Sequence, residues 1–338
     1  MPEGMSLQFA CHLALKKGGN LGLVLIGGSC FVNLLRGLCR PSMGCLHFDF
    51  ILPLESGISH ERTQPVMSEF SNSVSNALFR SLIEAPALML DLPEGAAFAT
   101  DTLALPEGGS ALDLEQKLGH LYEDALGMML ESSPRYEVLG RGIQIRKEAG
   151  HTLGELDFLV RDLTPGRLIH LELAVKFYLA VETENGFLLP GPDSRDDYFR
   201  KLGKMRSHQL ILVRKFRDLL PEKFRDEGIV VEQLVHGCIF NHVNASKPVD
   251  AGFLNPNGRR GKWLHVGECA KYFGDDMQLE IVPKPLWPVP LELLDGMELE
   301  KWDPDEKLDR CVMVRSAAWN LPYFIAPNGY PKQARRSP

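Results

Sequence analysis

Gly154-Glu-Leu-Asp-Phe-Leu-Val160 and, after a turn, His170-Leu-Glu-Leu-Ala-Val-Lys-Phe-Tyr178 read as the two strands of one hairpin. Alternate residues of a strand face opposite ways. In the second run Leu171, Leu173, Val175, Phe177 and Leu179 share one face, and His170, Glu172, Ala174, Lys176 and Tyr178 share the other. In the first run Leu156, Phe158 and Val160 form the apolar side, opposed by Glu155, Asp157 and Arg161. Thr164-Pro165-Gly166 suits a type II turn, because proline fixes φ and glycine accepts a positive one.

The hairpin therefore carries an oily face and an acidic face with a single lysine. Carboxylates on neighbouring strands beside a lysine suit Mg²⁺ or Mn²⁺, which take hard oxygen ligands, with a cation nearby to orient water or phosphate. The other reading is a solvated face, since antiparallel sheets often wet one side.

Gly154-Glu-Leu-Asp followed by Leu171-Glu-Leu-Ala-Val-Lys176 resembles the core of the PD-(D/E)XK nuclease-like superfamily. Thr152-Leu-Gly-Glu-Leu-Asp-Phe-Leu, Glu172-Leu-Ala-Val-Lys-Phe-Tyr-Leu179 and Gly191-Pro-Asp-Ser-Arg-Asp196 resemble an uncharacterised bacterial family, domain of unknown function 1853, from about Glu69 to Pro331. The resemblance implies an α/β fold with a restriction-endonuclease-like core, a mixed central sheet flanked by helices. It implies a metal-dependent nuclease or phosphodiesterase acting on DNA or RNA. Asp157 and Glu172 would hold Mg²⁺ or Mn²⁺, Glu123 would be an outer or additional ligand from the preceding helix, and Lys176 would orient or stabilise. The superfamily places its lysine two residues after the acid, a position occupied by Ala174 in this chain. Lys176 keeps the face but lies one pleat on, roughly 6–7 Å along the strand. A catalytically inactive nuclease-like fold, binding nucleic acid or a protein, is the alternative.

The 338 residues carry a formal net charge of −7, so no overall basic excess advertises nucleic acid. Seven cysteines without a Cys-x-x-Cys pair indicate neither a zinc site nor a disulfide framework, and reduced thiols in a cytoplasm are expected. Residues 1–66 hold Cys11, Cys30, Cys39, Cys45 and the apolar run Leu21–Val32, unlike the rest. They read as a leader or an over-extended start, with the domain expected over 67–331 and a loose basic tail over 332–338.

Along the domain, Ser73–Glu84 reads as a helix stopped before Pro86, and Pro93–Ser110 as a loop. Asp113 with Gln116 suggests a capping box opening a helix through Met129. Glu123 lies on the edge of its apolar stripe, with Gly119 and Gly127 leaving room for another backbone. Tyr136–Arg146 reads as a first strand. Asp196–Leu220 reads as one long helix whose stripe Leu202, Met205, Leu212, Phe216 and Leu219 is interrupted by Gln209, a candidate to support the site. Its flank carries Arg200, Lys201, Lys204 and Lys215, placed to follow a phosphate backbone or simply to be solvated. Ile229–Phe240 and Lys262–Val266 read as further strands around an Asn255–Gly261 loop whose arginines could meet phosphate, and Pro283–Pro290 as irregular.

Overall fold

The computed structural model describes residues 64–331, apart from 108–110, 148–149, 275–277, 304–306 and 317. The readings of residues 1–63 and of the tail lie outside the described residues. Helix α1 (Gln64–Glu84) begins nine residues before the expected start and runs across position 67. It stops two residues short of Pro86, as that ring requires. A short β1 (Ala96–Ala97) interrupts the loop that follows.

Helix α2 (Leu118–Ser132) starts at Lys117 rather than Asp113. The Asp113 side chain instead accepts from the Glu115 N–H at 3.0 Å, closing a local turn, and Gln116 donates to Asp124 at 2.9 Å. Neither remains for a capping box. Then come β2 (Tyr136–Arg146), β3 (Thr152–Asp162), β4 (Arg167–Thr183) and β5 (Gly186–Leu188). Gly166, in the turn joining β3 to β4, has φ 69°, which a glycine takes without steric cost.

The expected long helix is broken. It comprises α3 (Tyr198–Lys204), a π-helical turn over Met205–Gln209 and α4 (Leu212–Lys215), followed by α5 (Glu222–Arg225). The π turn shifts the buried set, so Leu210 is fully buried while Leu219 is exposed. After β6 (Ile229–His242) and β7 (Arg260–His265) come α6 (Cys269–Phe273), β8 (Glu280–Ile281), β9 (Val312–Ser316) and β10 (Trp319–Ala326).

The strands form one ten-stranded mixed sheet in the order β2-β3-β4-β6-β7-β10-β9-β8, with β1 beside β6 and β5 beside β4. β2, β3 and β4 run antiparallel in sequence, and β6 lies parallel to β4 after the helical crossover. One face buries α1 and α2: Leu121, Tyr122, Leu126 and Met129 pack with Phe158, Val160, Ile169 and Leu171. The other buries α3 and α4: Tyr198, Met205, Leu210 and Leu212 pack with Ala174, Tyr178 and Val235. Helices thus cover both faces of β4, and the solvated-face alternative does not hold at the acid: His170 is 0% and Glu172 1% exposed, while Lys176 on the same face stays half-buried. Leu156 departs from its expected side and joins the α3–α4 core, while Phe158 joins the α1–α2 core. β3 therefore changes face at Asp157.

Cys238, Cys269 and Cys311 are free and buried. Among the described residues no helix is long and apolar enough to cross a membrane.

Candidate functional site

The β3–β4 ladder runs from Asp162↔Arg167 to Phe158↔Leu171 and stops there. The next residues in that register are Asp157 and Glu172. Where the ladder ends, the Leu173 N–H is taken by Asp157 Oδ2 at 2.8 Å. The end of the ladder thus brings the two residues together, near enough for the charge of Glu172 to act on the Asp157 carboxyl.

Glu172 is held from two directions. Gln209 Nε2 donates to its Oε2 at 2.7 Å, and His170 Nε2 lies 2.7 Å from its Oε1. Gln209 Oε1 in turn accepts from Lys201 Nζ at 2.9 Å. A chain therefore runs His170–Glu172–Gln209–Lys201, and the π turn is what makes it: Leu210 N bonds Met205 O across five residues instead of four. That extra residue lifts Gln209 out of the apolar stripe and aims its amide at β4. Such turns often mark functional sites.

The electrostatics are strained. The Asp157 carboxyl is pushed up to about 8 by burial first, then by the negative charges of Glu172 and Glu123, against the Leu173 N–H and Lys201. Lys201 is held below its ordinary range by burial and by Lys176, with Glu172 and Asp157 opposing. Glu123 adds to the field on Asp157 from outside; its carboxylate sits 3.3 Å from His120 Nδ1 on the flank of α2. Gly127 admits the Arg141 guanidinium rather than a backbone, and the space beside Gly119 is open.

Lys176 does not join the acids. β4 pairs with β6 from Leu168↔Ile229 to Ala180↔Asn241 without a register shift, so no bulge draws Lys176 back. Its ammonium instead meets Asp196 at 2.7 Å. Lys201, read as part of a phosphate-facing flank, turns inward instead, onto Gln209 and within the field of Glu172 and Asp157. Arg200, Lys204 and Lys215 remain exposed on two helices separated by the π turn. Lys215 Nζ lies 5.3 Å from the Phe216 ring. The arginines of the Asn255–Gly261 loop are tied inward, Arg259 to the carbonyls of Trp287, Pro288 and Val289 and Arg260 to that of Val249.

His170 was legible as a partner of Glu172, since i and i+2 share a strand face. Lys201 was not, because its distance from Gln209 depends on the π turn.

Among the described residues, the set of three metal-ligating side chains whose ligand atoms all lie within 4.8 Å of one another is His242, His265 and Glu268. Glu123, Asp157 and Glu172 do not converge that tightly. Local structure accounts for the histidine set: Glu268 Oε2 accepts the His265 backbone N–H at 2.8 Å in a capping box and the His242 ring at 3.1 Å, while His265 Nε2 meets Tyr330 O at 2.9 Å.

Asp157 gives a pH dependence with a definite sign. Its folded value of about 8 stands above the ordinary 3.8, so between these values the native chain holds the extra proton. Stability of the metal-free protein from this group therefore falls as pH rises through that window. Asp157→Asn is expected to flatten that slope, measured by urea unfolding across the window; an unchanged slope would contradict the assignment.

A cleft of about 870 Å³ opens beside the site, with Lys201 and Lys176 in its wall together with Gly119, Trp287 and Tyr330. No curated protein and no solved structure gives a significant match to the chain. The profile of one family matches residues 73–326, three quarters of the sequence, and the chain belongs to that family, described as a domain of unknown function, DUF1853.

Proposed function

We propose that this protein is a metal-dependent nuclease or related phosphodiesterase acting on DNA or RNA, built on a restriction-endonuclease-like core. The order of α2, the antiparallel β2–β4, the α3–α4 crossover and the parallel β6 supports that core. The observation that carries the reading is Asp157 and Glu172 meeting at the end of the β3–β4 ladder, with Glu172 linked through Gln209 to Lys201.

The donor set fits Mg²⁺ or Mn²⁺. Asp157 and Glu172 offer hard carboxylate oxygens, and their crowding in a buried place is relieved by a cation. Glu123 stands as an outer carboxylate. Bound there, the ion would polarise a phosphate oxygen and lower the pKa of a water.

The chain's own groups do the rest. Gln209 and His170 fix both oxygens of Glu172, so its lone pairs keep one orientation. Lys201 presents a positive charge at the cleft wall, suited to a phosphate oxygen or the charge that develops on it. Lys176 with Asp196 shapes the wall beside it.

The displaced Lys176 favours the non-cleaving alternative, and Lys201 answers it. With Mn²⁺ present, Lys201→Met is expected to lower cleavage of DNA or RNA by about 100-fold or more. Lys176→Met should cost far less. The reverse order would contradict these roles of the two lysines, and a wild-type protein inert on single- and double-stranded DNA and RNA would leave the binding-module reading.

A further inference from the structure

We propose that the cleft beside Lys201 takes single-stranded nucleic acid, with phosphates on Lys201, Lys284 and Arg310 and an unstacked base against Trp287. This rests on the hydrolytic reading for the phosphate beside Lys201. The cleft, about 870 Å³, is lined by all four of these residues and by Phe177. Clefts of roughly 300–1,000 Å³ enclose drug-sized ligands, so this one has room for about one or two nucleotides and none for a duplex.

Its wall carries Lys117, Lys176, Lys201, Lys284 and Arg310 against Asp193, Asp196 and Asp309, so the cations outnumber the acids, and Asp196 is already paired with Lys176. The cations left over come from separate segments: Lys117 ahead of α2, Lys201 on α3, Lys284 before β9 and Arg310 at its threshold. Spread in this way, they suit successive phosphates. The ring of Trp287 is partly exposed, stands edge-on to Phe177 at 5.5 Å, and has Lys284 Nζ 5.9 Å from its centroid. An aromatic face beside a lysine is the arrangement on which bases of a single strand stack without regard to sequence. A base paired in a duplex cannot reach it.

The test is fluorescence anisotropy with labelled oligothymidylate and oligouridylate strands, a duplex of equal length and thymidine monophosphate as competitor, all in EDTA. Single strands are expected to bind at least about tenfold more tightly than the duplex and to quench tryptophan emission, with the quench lost in Trp287→Phe. Lys284→Glu with Arg310→Glu, both exposed, should weaken binding by about tenfold or more and lower the slope of log K against log salt by about 0.7 per lost contact. Equal or tighter duplex binding, competition by the mononucleotide at matching affinity, an unaffected double variant or no binding at low salt would each overturn the proposal. Because the assay excludes metal, a failure of Mn²⁺ binding at Asp157 is a separate result: it removes the hydrolytic reading while strand binding is read independently.

Discussion

Glu172→Gln is expected to lower Mn²⁺ affinity by more than about 100-fold while leaving the protein folded. The substitution keeps the shape of a side chain that is 1% exposed but removes the charge a hard cation needs. Its energetic effects on the apoprotein oppose each other. The new amide keeps the 2.7 Å bond by turning its oxygen to Gln209 Nε2, which sets its nitrogen against His170 Nε2 and costs about 1–3 kcal/mol where that ring nitrogen also donates. Against this, removing the Glu172 charge eases the repulsion on Asp157, whose carboxyl should move back down toward its ordinary range. Calorimetric titration with Mn²⁺ measures the first effect and urea unfolding the second. Undiminished affinity in a folded variant would take Glu172 out of the site.

The second large effect lies one strand away. Gly237 of β6 pairs with Lys176 of β4 and has φ 148°. A Cβ built there would lie 1.6 Å from the Lys176 carbonyl oxygen, a collision with backbone that no rotamer change relieves. Gly237→Ala must therefore strain its own backbone and push apart the central β4–β6 pair, and should destabilise the protein by about 3–5 kcal/mol. Gly228, with open space around its Cβ position, is the control; its alanine variant should stay within about 0.5 kcal/mol of the parent in the same urea experiment. Equal stability of the two variants would mean that β4 and β6 do not meet as described. The displacement matters for function too, because it moves the strand that carries Glu172 and Lys176.

Much of this was written in the two-residue period. β2 has the bounds its alternation predicts, and the hairpin strands are where the pattern puts them, only longer. The split of β4 into two faces holds, yet periodicity says nothing about what covers a face, and the acidic side proved to be roofed by α3 and α4. The change of face at Asp157 was illegible for a similar reason: it arises where β3 leaves β4, a tertiary event with no local signature. The π turn hid the largest rearrangement around Glu172. Straight helical geometry puts Lys201 with Arg200 and Lys204 on an outer flank, and one extra residue per turn is enough to link it through Gln209 to Glu172. β9 and β10 also escaped notice, the first being five residues long and the second carrying Pro322 within it.

Whether Asp157 and Glu172 hold a divalent cation is decided by anomalous diffraction from crystals soaked in Mn²⁺. A peak is expected between the carboxylates of Asp157 and Glu172, with Gln209 Nε2 still bonded to Glu172 Oε2. A map with no peak there, or with manganese confined to His242, His265 and Glu268, would contradict it.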